Sequence, residues 1–231
     1  MPVKRYLIVK KKIVAANLKM NLTHKEVKPY LDRFLAKVGE INEVQVVFIP
    51  PFTSIQAFAD ALEESPNFCE LGAQDLHWES GGAFTGEISA AMLQALQVKH
   101  VVIGHSERRQ WFGESDAIVA KKTAAALQGG LLPILCIGET LAERDGNRVE
   151  EVLERQLRKG LGDCSSRDLG NVVIAYEPVW AIGTARRRQP LRPRKLMHLS
   201  GPFSFRLLTP RLRKASESNT GAASNRKTRK N

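Results

Sequence analysis

The chain has 231 residues and a formal charge of +11, but the charge is unevenly spread: residues 1–184 hold 21 Lys+Arg against 23 Asp+Glu, and residues 185–231 hold 14 against 1. The body of the chain is therefore not a basic binder of nucleic acid or membrane surfaces, and no apolar run approaches the length of a membrane span. The length allows one α/β barrel or two small domains with a sizeable core. Cys69, Cys136 and Cys164 are odd in number and lack metal-type spacing. They predict reduced thiols in a cytoplasmic protein and no metal site. Lys10-Lys11-Lys12 follows the short apolar run Tyr6–Val9, the wrong order for a signal peptide.

In chain order the pattern predicts a strand at 13–18 and a helix at 25–39, then a strand at 44–49 and a helix at 54–63. It continues with a strand at 69–74 and a helix at 89–97, then a strand at 100–104 and a helix at 115–128. Last come a strand at 132–137, a helix at 147–160 and a strand at 171–176. The strands are short, β-branched and not polar-alternating, so both faces should be buried, as in parallel β/α units. Six such units begin before residue 184. A doubly wound sheet and a barrel satisfy this spacing equally. After Thr184 the composition changes. Arg186-Arg187-Arg188 opens a segment broken by prolines at 190, 193, 202 and 210 that ends rich in Ser, Asn and Lys. Residues 185–231 are predicted to be disordered, because so little apolar surface cannot offset the ordering entropy.

Three residues with catalytic chemistry fall at predicted strand ends. Lys19 lies in Asn17-Leu18-Lys19-Met20-Asn21 after the first strand. Taken alone it is a solvated rim charge; aimed inward it is a cation for an anionic substrate. His105 follows the fourth strand in Gly104-His105-Ser106-Glu107-Arg108-Arg109. Such a histidine is more often a structural hydrogen-bonder, but a helix starting at Ser106 would place its positive end beside the ring and favour the neutral form. Glu177 follows the buried run Val172–Ala175 and precedes Pro178, where a parallel α/β enzyme places a catalytic base. The loop Gly81-Gly82-Ala83-Phe84-Thr85-Gly86-Glu87 reads either as a flexible loop or as an interface or active-site loop. A cation, an imidazole and a carboxylate on one barrel mouth suit proton abstraction next to a carbonyl. No nucleophile elbow or dinucleotide fingerprint competes.

The blocks Asn17–Asn21, Gly104–Arg109 and Ala175-Tyr176-Glu177-Pro178-Val179-Trp180-Ala181-Ile182-Gly183-Thr184 resemble, in order and spacing, the signature blocks of the triosephosphate isomerase family. Gly86-Glu87-Ile88-Ser89 and Cys136-Ile137-Gly138-Glu139 match too, so the resemblance spans about residues 11–184. It implies a TIM (β/α)8 barrel, incomplete here, and a homodimeric enzyme that interconverts dihydroxyacetone phosphate and D-glyceraldehyde 3-phosphate without a cofactor. It also implies Glu177 as base, His105 as neutral electrophile and Lys19 as positive charge. Asn17 and Gly183 would contact substrate, with Ser106, Glu107 and Ile182 in support. Ile182 and Gly183 would belong to a closing lid, and Thr85 to a loop entering the partner subunit. Leu18 replaces an aromatic residue, a tolerable packing change.

The family continues beyond the lid with two more β/α units and the loops that bind phosphate. Here the segment 185–231 can be read in a shifted frame. Joining the last base of each codon to the first two of the next lets Thr184–His198 spell a string like the family's continuation. In the same way Asn219–Asn231 can spell Tyr-Gly-Gly-Ser-Val-Lys-Pro-Glu-Asn-Ala-Lys-Glu, which resembles its phosphate-binding loop. The segment thus reads as the rest of the gene out of frame. A chain made as written is expected to be unstable and nearly inactive, since missing strands leave open edges and an unfilled core. The competing reading, a fusion whose basic tail binds nucleic acid through non-specific charge, lacks aromatic interleaving, with only Phe203 and Phe205 in the segment.

Overall fold

The structure, a computed structural model, describes residues 12–39, 43–63, 66, 68–162, 164–181 and 206–208. The strands are β1 (Lys12–Asn17), β2 (Val44–Ile49), β3 (Cys69–Ala73), β4 (His100–Ile103), β5 (Leu132–Ile137), β6 (Val173–Tyr176) and β7 (Arg206–Leu208). The longer helices are α1 (Val27–Val38), α2 (Ile55–Glu63), α5 (Asp116–Gln128) and α7 (Val149–Leu161). Shorter ones are α3 (Ala90–Ala95), α4 (Ser106–Trp111), α6 (Leu141–Asp145) and α8 (Ser166–Leu169).

All strand pairs are parallel, and the spatial order is the chain order, β1 through β7. A doubly wound sheet reverses its strand order partway; this one never does. The chain is wound in one direction, as in an incomplete TIM barrel, so the fold is the one the family resemblance implies. The one stretch of the basic segment that the structure describes, Arg206–Leu208, pairs with β6 where the sequence predicts disorder. The free edge of β6 supplies backbone donors and acceptors to any extended segment, whatever its side chains. The remainder of 185–231 lies outside the described residues.

The strands are apolar on both faces because each face has its own core. Val46 and Phe48, Val101 and Ile103, Leu135 and Ile137, and Ile174 and Tyr176 pack outward with Leu31, Phe58, Val119 and Leu153 of the helices. The alternate residues Val47, Ile49, Val102, Ile134, Cys136, Val173 and Ala175 form a separate inner cluster. This period-two division explains the absence of polar alternation in the sequence. Helix starts are capped locally: Ser115 Oγ accepts from the Ile118 N–H, and Thr140 and Glu143 form a reciprocal capping box.

One buried ion network fixes α4 against α5. Lys122 Nζ donates to Asp75 at 2.7 Å and to Glu114 Oε1 at 2.5 Å, while Arg108 donates to the same two carboxylates at 2.9 and 2.6 Å. Burial drives the Asp75 carboxyl above its usual range, with Lys122 opposing. Burial also raises Glu114, but the hydrogen bonds from Lys122 and Arg108 outweigh it and hold that carboxyl low. The Asp75 loop thereby grips the helix that follows His105. Among the described residues no helix is long and apolar enough to cross a membrane.

Candidate active site

The C-terminal ends of the parallel strands share one face, and the residues singled out from the sequence lie there. Asn17 ends β1, and its Oδ1 accepts from the Lys19 N–H at 2.9 Å. Lys19 has a φ of +51°, left-handed backbone that costs a non-glycine residue about 1 kcal/mol or more. Gln74, from the end of β3, holds this turn by donating to Lys19 O at 2.7 Å and to Ile49 O at 3.1 Å. The Lys19 ammonium forms a short contact with the Glu107 carboxylate, and both side chains are 40% exposed.

His105 is the N-cap residue of α4, which does begin at Ser106. The turn into it needs Gly104, whose φ is +67° and whose added Cβ would lie 2.9 Å from Val119 Cγ2. The ring is buried, and Nδ1 accepts from the Glu107 N–H at 3.2 Å. An Nδ1 that accepts leaves the proton of a neutral imidazole on Nε2. That nitrogen lies 3.5 Å from Glu177 Oε2. Imidazole and carboxylate are thus brought together without a tight hydrogen bond.

Glu177 sits immediately after β6, its N–H donating to Ile137 O at 2.9 Å. The backbone beneath it is close-packed: a Cβ on Gly138 would lie 1.9 Å from Glu177 O. Gln156 of α7 pins Gly138 from the other side, accepting from its N–H at 2.8 Å and donating to its carbonyl at 3.2 Å. A second carboxylate, Glu139, is fully buried one residue on. It accepts from Tyr176 Oη at 3.1 Å, from Trp180 Nε1 at 2.8 Å and from Arg144 at 2.8 Å. Burial and then the charge of Glu139 push the Tyr176 hydroxyl well above its usual range. Glu139 so ties both flanks of Glu177, a role sequence reasoning missed. The available signal was a carboxylate two residues past β5, as Glu177 lies one residue past β6.

Of the other predicted site residues, Ser106 opens α4 and is half-buried, and Thr85 is exposed on the loop between β3 and α3. That loop is an ordered stack, with the His77 ring 4.1 Å from Trp78 and 4.5 Å from Phe84. Ile182 and Gly183 lie outside the described residues, as does Thr184. Among the described residues no group of three or more His, Cys, Asp or Glu side chains is placed to hold a metal ion.

Comparison with known proteins agrees with this geometry. The family model described as triosephosphate isomerase matches residues 12–199, running past Thr184 into the basic segment. A triosephosphate isomerase of Solibacter usitatus is 45% identical over 79% of this chain and 72% of its own. One from Symbiobacterium thermophilum is 48% identical over 77% and 69%, and one from Moorella thermoacetica 47% over 77% and 70%.

Proposed function

The chain belongs to the triosephosphate isomerase family, isomerases of triose phosphates, and on that premise we propose that Glu177, His105 and Lys19 carry the reaction at the strand-end mouth. The observation that carries this assignment is His105 Nε2 facing Glu177 at 3.5 Å while Nδ1 is committed to the Glu107 N–H. The family is the standing example of a neutral catalytic imidazole and of loop closure, so the roles are the family's. The Glu177 carboxylate takes the proton from C1 of dihydroxyacetone phosphate. The freed electron pair forms the C1–C2 double bond, and the C2 oxygen becomes an enediolate oxygen. The His105 Nε2–H donates to that oxygen, and the Lys19 ammonium offsets its charge. Protonated Glu177 then returns the proton to C2, while the hydroxyl proton passes from O1 to O2 by way of the His105 ring. In this reading Asn17 and Gly183 contact substrate, Ser106 and Glu107 order the site, and Ile182 belongs to the lid that excludes water.

The same reading makes the protein a homodimer. Met20, Trp111 and Phe112 are 94%, 70% and 67% exposed on segments next to the site, and Thr85 is exposed on its loop. A second copy would cover apolar side chains of this kind. Sedimentation at micromolar concentration should give a dimer; a monomer overturns this part. Cys69 and Cys136 are not joined in a disulfide and fit a reducing compartment, the cytoplasm, which fractionation would test.

Residues 185–231 are proposed to be the out-of-frame remainder of the gene, on the strength of the two shifted strings. An extra base between the codons for Gly183 and Arg188 is the expected finding on resequencing, and confirmation of the written sequence overturns it. The similarity does not favour over the isomerase either an inactive remnant or a nucleic-acid-binding fusion. Turnover in the purified 231-residue chain, reduced about 10²–10⁴-fold by Glu177→Gln, supports the site assignment. Turnover only after frame restoration supports the site and the shifted frame together. Absence of turnover from both overturns the site.

A further inference from the structure

Arg109 stands behind the site, not in it, and the mechanism above does not use it. Its Nε donates to Gly104 O at 2.9 Å, the carbonyl directly before His105. Its Nη1 donates to Asp116 Oδ1 at 2.6 Å. The other Asp116 oxygen takes a short bond from Arg155 of α7. Two arms of a planar fork held in this way fix the direction of the third. That third arm, Nη2, is buried and has no hydrogen-bond partner among the described residues. A buried donor left unpaired is costly and uncommon in folded proteins.

Arg109 also lines a cavity of about 10 Å³, together with Gly104, Ser106, Cys136, Gly138 and Glu177. That volume is about what one water molecule needs. Arg109 and the residue proposed as the base both line it. The Cys136 thiol in the wall feels both: burial raises it first, the Glu177 charge raises it further, and the Arg109 charge opposes.

We propose that this cavity holds one ordered water, donated to by Arg109 Nη2 and shared with the Glu177 segment, so that Arg109 is a positioning residue for both halves of the site. Through Gly104 it sets the peptide that carries His105; through the water it sets where Glu177 rests. A lysine has the charge but not the fork, and cannot hold Gly104 and Asp116 while aiming a third donor into the cavity. The inference rests on the reading of Glu177 as base, and its test separates the two.

Turnover is measured first in the 231-residue chain and, where it is absent there, in the frame-restored chain, which then carries the variants; its absence from both bears on that reading and not on the water. Arg109→Lys is expected to lower kcat about tenfold or more, as misplaced groups do, with KM within about twofold. Arg109→Ala should recover part of its kcat in millimolar guanidinium, which a merely structural defect would not. Asp116→Asn frees one arm without entering the cavity, so its effect should be smaller than that of Arg109→Lys. Equal effects of those two, or no guanidinium rescue in a folded Arg109→Ala, overturn the proposal. A high-resolution crystal structure of the wild-type chain decides independently of activity and of any variant's folding. Density for one water within hydrogen-bond reach of Nη2 supports the proposal, and a dry cavity, or Nη2 bonded directly to protein, overturns it.

Discussion

β4 has a histidine–glutamate pair at each end, and the two pairs differ in kind. At its start His100 Nε2 meets Glu70 Oε2 at 2.7 Å, with the histidine 1% and the glutamate 19% exposed. Just past its other end His105 Nε2 stands 3.5 Å from Glu177 Oε2, the two side chains 8% and 31% exposed. The lower pair is spent: the hydrogen bond from His100, with help from Lys99, pulls the Glu70 carboxyl down to about 2 against its burial. The upper pair has kept its capacity. Each histidine commits one ring nitrogen, His100 Nδ1 being buried with no partner among the described residues, and the difference is that Glu70 has closed on its histidine while Glu177 has not. A group that must exchange protons with a substrate cannot first be saturated by its neighbours. On the proposed reading one pair belongs to folding and the other to chemistry, although the residue types and the strand are the same.

The most forceful way to break this comparison is to replace each histidine by glutamine. His105→Gln keeps a donor but loses its direction and its exchangeable ring, so kcat should fall about 10²–10³-fold, the usual cost of losing one oxyanion donor. The urea midpoint should barely move. His100→Gln should do the reverse, lowering stability by about 1–3 kcal/mol as Glu70 loses its buried partner, with kcat within a few-fold of wild type. A matching loss of activity in both variants would mean that the two pairs are not separate in function.

A smaller effect sharpens the comparison by asking where the looseness of the upper pair stops. Its side chains are loosely spaced, but the backbone under Glu177 is not. Gly138→Ala puts a methyl 1.9 Å from Glu177 O, and that carbonyl belongs to a backbone that cannot yield cheaply. Stability should fall by about 1–3 kcal/mol, and kcat should fall with it as Glu177 is displaced, with KM less affected. An alanine variant with unchanged kcat would show that the position of Glu177 is not set by the strand beneath it.

The positions of the upper pair were legible in the sequence because they follow from strand ends. β2 and β5 begin and end where apolar content predicts, and β1, β3, β4 and β6 differ by one or two residues. His105 and Glu177 follow strands that a parallel sheet must bring to one face. α6 and α8 were not predicted because four or five residues are too few to show a helical period. The partners of Glu139 come from α6, β6 and the turn after it, and the Asp75–Lys122 pair is 47 residues apart. Spacing in sequence carries no record of such contacts. The lower pair was hidden for the same reason, since Glu70 and His100 are 30 residues apart and each alone reads as a strand residue.

The mildest test uses pH on that lower pair. A carboxyl held at about 2 in the folded chain, against an ordinary value of 4.5, stabilises the fold fully above pH 4.5. As pH falls from 4.5 toward 2 the unfolded chain binds the proton first, and that contribution is lost. The full shift corresponds to at most about 3 kcal/mol, and partial exposure of the carboxylate reduces this to about 1–2 kcal/mol. Urea midpoints measured across this window should therefore fall in the wild type. In Glu70→Gln the group cannot titrate, so the curve should start lower at pH 7 and fall less steeply, the two converging near pH 2. The pH dependence of kcat should be the same in both, because Glu70 is not part of the proposed catalytic pair. Parallel stability curves would mean that Glu70 is not held low by His100, and the contrast between the two ends of β4 would then rest on distance alone.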